Sequence, residues 1–390
     1  MNLLPLLFFL LPVAAFSGWI LGRRRSERTS GARVSELSTS YFRGLNYLLN
    51  EQQDKAIEVF LKLAEINRDT VETHLALGNL FRRRGEVDRA IRVHQHLIAR
   101  PNLSEAEKTV ALLELGEDYM RAGVLDRAET LFRDLVAMGA LVPPALKHLI
   151  GIYQHERDWS KAIEHAERLQ QAIGDSQGAT IAQFYCELAE QARARGDRDA
   201  ARARVADAFR VEPDCVRACM IDGHIESAAG NLDTAITSFE RVAQLDIDYV
   251  PEILSPLLDC YARAAQMQRA EEFLGGIIER YHGVSPVLAL AKLYASTRGE
   301  AAAAEFLNRV LRGRPSVRAL MALIDVNLHT ASGAARENFL ILRDLTHKLV
   351  EGKAMYRCRK CGFGAKAHHW QCPSCKSWST VRPIHGVVGE

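Results

Sequence analysis

Gly78-Asn79-Leu80-Phe81-Arg82-Arg83-Arg84-Gly85-Glu86-Val87-Asp88-Arg89-Ala90 is the stretch that decides the fold. Glycine adopts positive φ at no steric cost, so Gly85 ends one helix and turns the chain into the next. Gly78 and Ala90 are small, as two helices packed closely together require. The alanine recurs at Ala56, Ala90, Ala128, Ala162, Ala201, Ala235, Ala270 and Ala303, at separations of 34, 38, 34, 39, 34, 35 and 33 residues. Twelve residues before each stand Gly44, Gly78, Gly116, Ile150, Ala189, Gly223, Leu258 and Ala291, most of them small. Nine before it an aromatic recurs as Tyr47, Phe81, Tyr119, Tyr153, Tyr261 and Tyr294, while Ala192 and Glu226 break the pattern and make repeats five and six the weaker ones. Gly85, Gly123, Gly196 and Gly230 supply turns, and Pro213 and Pro315 close repeats where a helix must stop.

A helix pair with a period near 34 residues resembles the tetratricopeptide repeat family. The resemblance covers about residues 37–315, the two longer intervals reading as loop insertions. Ser316 to Val350 repeats the spacing in degraded form, with Ala335 and Phe339 in its second helix, so residues 37–350 hold eight repeats plus a degenerate ninth or cap. Such a stack implies an all-α superhelix whose first helices line a concave binding face. The recurring glycines, alanines and aromatics are core. On the expected inner face lie Tyr41, Leu45, Leu48, Asn79, Arg82, Arg83, Glu117 and Arg121, the candidate partner-binding residues. The family's carboxylate-capturing variety needs a spaced set of Lys, Arg and Asn; Asn79 alone does not supply it.

The 390 residues carry a formal net charge of +2, with 48% hydrophobic and 25% charged residues, an ordinary globular composition that excludes disorder as the default. That balance lacks the footprint of a dedicated nucleic-acid binder, so such a role needs a local patch. Of eight cysteines, Cys186, Cys215, Cys219 and Cys260 are scattered and read as buried small hydrophobes, although Cys215 and Cys219 are a helical turn apart. A long chain with isolated thiols fits a reducing compartment.

The other four cysteines are Cys358, Cys361, Cys372 and Cys375, two C-x-x-C knuckles with ten residues between them. This is the spacing of a tetrahedral four-sulfur site. Residues 352–390 are too few to fold on a core alone, so metal binding is also folding. Four thiolates close the coordination shell, which makes the ion structural and leaves His368 and His369 as reserve ligands. Trp370 and Trp378 are expected to cover the site as its small core, joined by Phe363. The knuckles are similar to those of rubredoxin, which leaves zinc and iron both open. They also resemble the zinc knuckle heading a DNA-repair ATPase, but no P-loop motif occurs here. From Gly352 to Gly389 there are seven Lys or Arg and no Asp or Glu. That is the local basic patch, suited to anionic lipid head groups, an acidic protein or nucleic acid.

Met1 to Gly22 contains no charged residue and is long enough, at about 33 Å as a helix, to span a bilayer core of about 30 Å. Arg23, Arg24 and Arg25, with Arg28 and Arg33 in the linker at 23–36, hold that flank in the cytoplasm. A cleaved signal peptide places its charge before the apolar run, not after it.

Anchor, basic flank, repeats and terminal knuckles together resemble the lipopolysaccharide assembly protein B family over essentially the whole chain. The resemblance implies a single-pass bacterial inner-membrane protein with its body in the cytoplasm. It also implies a non-enzymatic adaptor that presents the lipid A-committing deacetylase to a membrane-anchored AAA+ protease, with a membrane-embedded regulator as a further partner. The alternative from a different class is a nucleic-acid-binding scaffold that uses the basic knuckle.

Overall fold

The computed structural model describes residues 39–47, 50, 52–66 and 70–390. The expected anchor, the linker and Leu48 lie outside the described residues, among which no helix is long and apolar enough to cross a membrane. The chain divides into two compact units. One runs to Arg157 and takes in Gln171–Ile173; the other comprises Asp158–Gln170 and Gly174–Glu390.

The first unit contains α1 (39–47), α2 (Gln53–Ile66), α3 (Val71–Arg84), α4 (Val87–Ile98), α5 (Glu105–Ala122), α6 (Leu125–Ala137) and α7 (Val142–Glu156). Successive helices from α2 to α7 pack on one another. The second unit carries on the same alternation with α8 (Trp159–Ile173), α9 (Gly178–Ala194), α10 (Arg198–Val211), α11 (Val216–Ala229) and α12 (Leu232–Leu245). A 3-10 turn (Ile247–Tyr249) leads into α13 (Val250–Arg263), α14 (Met267–Arg280), α15 (Ser285–Arg298), α16 (Glu300–Gly313), α17 (Val317–Thr330) and α18 (Gly333–Val350). Here the first helices of consecutive repeats also touch, α9 with α11, α11 with α13, α13 with α15 and α15 with α17. The tail departs from an all-α class. Tyr356–Cys358 (β1), Gly364–Ala365 (β2) and Val381–Pro383 (β3) form an antiparallel sheet in the order β2-β1-β3.

In four repeats the glycine of the first helix meets a ring from the second. A methyl group on Gly44 would lie 2.8 Å from the Phe60 ring, on Gly116 2.5 Å from Phe132, and on Gly223 2.7 Å from Phe239. In the second repeat the ring is His94, 2.3 Å from the same methyl position on Gly78. His94 Nδ1 sits 2.5 Å from Asp118 Oδ2, and both side chains are fully buried.

Repeats two, three, five, six and seven close the turn between their paired helices with the same capping bond. The N–H of Glu86 donates to the carbonyl of Phe81, Val124 to Tyr119, Asp197 to Ala192, Asn231 to Glu226 and Gln266 to Tyr261. The acceptor is always the residue at the aromatic position, so repeats five and six keep the turn although they lose the ring. Glu226 is in addition held by Arg202 at 2.7 Å and by Asn231 at 2.6 Å. Gly85, Gly123, Gly196 and Gly230 take the left-handed conformation the turn demands, but Arg157 and Ala265 occupy it at φ 59° and 56°.

Two opposite effects on stability follow. Gly116→Ala should lower it by about 1–3 kcal/mol, because a closed helix contact is overfilled. Ala265→Gly should raise stability by up to about 1 kcal/mol, and the urea midpoint with it, because it relieves a left-handed alanine. Urea unfolding followed by circular dichroism checks both signs.

Candidate metal centre and its seat on the repeats

Each knuckle is built on a tight turn. In the first, Gly362 N–H donates to Cys358 O at 2.9 Å; in the second, Lys376 N–H donates to Cys372 O at 2.9 Å. The residue after each second cysteine is left-handed, with Gly362 at φ 78° and Lys376 at φ 56°. Strand β1 carries Cys358 and pairs it with Val381 of β3, which sets the first knuckle beside the second. The Sγ atoms of Cys358 and Cys375 are 3.7 Å apart, as are those of Cys361 and Cys372. All four lie within 4.8 Å of one another.

A tetrahedron of sulfurs each about 2.3 Å from a central ion has edges of about 3.8 Å, so the donor set fits one tetrahedral metal. Neither histidine belongs to that cluster. Cys358 Sγ lies 3.3 Å from the Thr380 hydroxyl. That contact, helped by the backbone N–H groups of Cys361 and Lys360, brings the Cys358 thiol down to about 6, while the Ser377 side chain lowers Cys375. A thiol that deprotonates readily is a ready ligand; Cys372 is the exception, pushed up to about 11 by burial.

Phe363 packs with Tyr356 on the small core of Cys358, Cys372 and Val381, as expected. The two tryptophans do not cover the metal centre. Trp370 stacks on Tyr249 of the 3-10 turn, with centroids 4.9 Å apart and planes 15° apart. Trp378 sets its edge against Trp159 and Phe184, at 6.1 and 6.0 Å. Arg217 of α11, nearly buried, lies 5.5 Å from the Trp370 ring and 5.8 Å from that of Trp378, and Glu187 holds it at 2.9 Å. The physical reason is that the sulfurs, Val381, Tyr356 and Phe363 already fill the knuckle core, so the two indole rings are left to bury elsewhere.

The polar contacts of the seat are charge-paired. Arg382 lies 4.3 Å over the Tyr249 ring and 2.7 Å from Asp246, and Arg359 lies 2.7 Å from Asp248. Tyr356 donates its hydroxyl hydrogen to Glu252 of α13. At the end of the tail Val317 N–H donates to Val387 O at 2.7 Å, and Arg318 lies 3.1 Å from Glu390. His368 is enclosed by Tyr249, Tyr356 and Trp370, with its Nε2 buried and unpartnered. Burial first, then the positive charges of Arg382, His369 and Arg217, pulls its pKa down to about 4.

Residues 356–383 match a family described as a rubredoxin metal binding domain, and residues 73–106 and 186–274 match families described as tetratricopeptide repeats. The chain is 41% identical to lipopolysaccharide assembly protein B of Escherichia coli strain K12, across 99% of this chain and 100% of that one. It is 34% identical to the protein of that name from Haemophilus influenzae, across 98% of each. The chain belongs to the lipopolysaccharide assembly protein B family.

The candidate partner-binding residues fall into three groups. Tyr41 and Leu45 are half-buried against the first repeat's core, the Tyr41 ring 5.7 Å from Phe60. Asn79 has a buried, unpartnered Oδ1. Arg82, Arg83, Glu117 and Arg121 come together, with Met120 and His148, around one open cavity of about 700 Å³. Arg82 is taken up by Glu114, Glu117 and Asp118 at 2.7–2.8 Å, and Glu117 also meets His148 at 3.1 Å. Arg83 and Arg121 remain exposed to a partner. Sequence reasoning missed the seat, Asp246, Asp248, Tyr249, Glu252 and Arg217. Its one visible sign is the acidic and aromatic run Asp246-Ile247-Asp248-Tyr249, set against residues 352–389, which hold seven Lys or Arg and no acid.

Two outcomes test the coupling. Replacing Cys358 and Cys361 by Ser, or stripping metal with a chelator, should unseat Trp370 and Trp378, and tryptophan emission should shift to the red without loss of helical circular dichroism. The second is a pH effect. His368 titrates near 6.5 when unfolded and near 4 when folded, so between those values the unfolded chain holds more protons. Stability from this group is complete above pH 6.5 and falls as pH drops toward 4. With metal held constant, His368→Phe should flatten that part of the pH profile of thermal unfolding.

Proposed function

We propose that this chain is a non-enzymatic adaptor of lipopolysaccharide biosynthesis. Residues 1–22 tether it to the inner membrane with its body in the cytoplasm, and it presents the lipid A-committing deacetylase to a membrane-anchored AAA+ protease. The observation that carries this reading is how the side chains are employed. The four thiols close on one another and the tail's rings and two of its cations are held by the repeats, while cavities on the first helices of the repeats stay open. Open surface on a rigid frame suits gripping a protein. The relatives' shared name gives the pathway. Tethering then acts through concentration: a client held near the membrane meets a membrane protease far more often than a free one does. The nucleic-acid alternative loses Arg359 and Arg382, which Asp248 and Asp246 occupy.

Crosslinking pull-downs from membranes, with the whole chain and with one lacking residues 1–22, test this. Mass spectrometry should find the deacetylase with both and the protease only with the whole chain. Recovery of neither, with nucleic acid or ribosomal protein instead, would reject the adaptor.

A further inference from the structure

The last repeats hold an open surface that lies apart from the candidate residues read in the sequence. A cavity of about 620 Å³ lies between α13 and α15, its walls including Leu254, Leu258 and Leu293. Beside it a cavity of about 520 Å³ lies between α15 and α17, its walls including Ala291, Met321 and Val326. The two share Leu288, Lys292 and Arg318, so they form one channel crossing two consecutive furrows.

Its lining is mostly apolar, and its charges are mostly paired. Asp259 takes Arg263 at 3.2 Å, Asp325 takes Arg343 at 3.0 Å, Glu300 takes His329 at 2.9 Å, and Arg318 takes Glu390 at 3.1 Å. Lys292 is different. It is exposed on the wall common to both cavities and has no hydrogen bond or ion pair among the described residues. An apolar channel with one free cation at its midpoint selects for an apolar ligand with one anion between its anchors.

We propose that this channel seats a short segment of the presented client, two large apolar side chains entering the two cavities and an Asp or Glu between them meeting Lys292. The proposal rests on the adaptor reading above. Neighbouring helices pack about 8–10 Å apart, so anchors in consecutive furrows stand at about that separation. An extended chain covers it in about three residues, at about 3.3 Å each. The acid sets the register and rejects segments with the wrong charge, while the anchors supply the contact area.

The test uses the full chain in detergent and fluorescein-labelled synthetic peptides that carry two Leu, Ile, Phe, Met or Trp anchors at that spacing. One of the two residues between the anchors is Asp, Asn or Lys, the other is Ser throughout, and binding is read by fluorescence polarisation. Asp peptides should bind best. Lys292→Glu should weaken them on the order of tenfold and reverse the preference toward Lys peptides. Ser255→Trp, at an exposed position lining the first cavity, should block all of them while the thermal unfolding midpoint stays unchanged. Equal binding of Asp, Asn and Lys peptides, an Asp preference that survives Lys292→Glu, or no binding by any peptide would overturn the proposal. Client turnover in cells separates this failure from that of the adaptor reading. Normal turnover in both variants, with turnover lost when the whole chain is deleted, removes the channel as the client's seat and leaves the adaptor standing. Turnover that survives deletion of the whole chain removes both.

Discussion

Four sulfurs that must close on one centre set the terms for the second unit. The tail contributes three short strands, and its buried core consists of Cys358, Cys372 and Val381, with Tyr356, Phe363 and Cys375 around them. Half of that core is ligand. With the sulfurs free, only Val381, Tyr356 and Phe363 remain to hold the two loops together, and a segment this small cannot bury enough surface with those alone. Trp370 and Trp378 leave those loops for the repeats, so the geometry of the sulfurs is also the geometry of the seat. Binding energy at the centre and packing energy at the seat are thereby linked: whatever loosens one loosens the other.

The repeats were legible and the seat was not, for one physical reason. A helix pair is a local object. Gly116 must be small because Phe132 lies against it, and the same demand recurs in each unit, so the sequence states it several times over. The seat is stated once. Asp246 and Arg382, or Glu252 and Tyr356, are more than a hundred positions apart, and nothing local marks them as partners. Even within the repeats, loss of a ring at Ala192 and Glu226 reads as decay, whereas the shared turn bond goes to the backbone carbonyl and survives any side chain. The tryptophans were misassigned because a small metal domain was expected to need its own rings.

Charge on the first-helix faces was legible in position but not in availability. Arg82 does stand on the face read for it, yet Glu114, Glu117 and Asp118 of the next repeat take up its guanidinium. Those partners lie about one period downstream, so a cation in one repeat and acids at the same register of the next are the signal to look for. Arg83 and Lys292 also have acids at that register, Glu117 and Asp325, but Glu117 is taken by Arg82 and His148 and Asp325 by Arg343, so register alone does not tell a paired cation from an available one.

A stack in which each repeat touches only its neighbours has little to keep distant repeats in step. Here the tail reaches past nearest neighbours. It contacts Trp159 of α8, Phe184 of α9, Arg217 of α11, the turn before α13, Ser285 at the start of α15, and Val317 and Arg318 of α17. Spreading those helices stretches several contacts at once, so opening a furrow between α13 and α15, or between α15 and α17, meets resistance that an unbraced stack does not offer. A furrow of fixed width discriminates between side chains by size, and a binding surface that is already rigid loses less entropy when it is filled. On this view the metal contributes to recognition without touching a ligand: it holds the brace, the brace holds the spacing of the first helices, and the spacing defines what the channel admits.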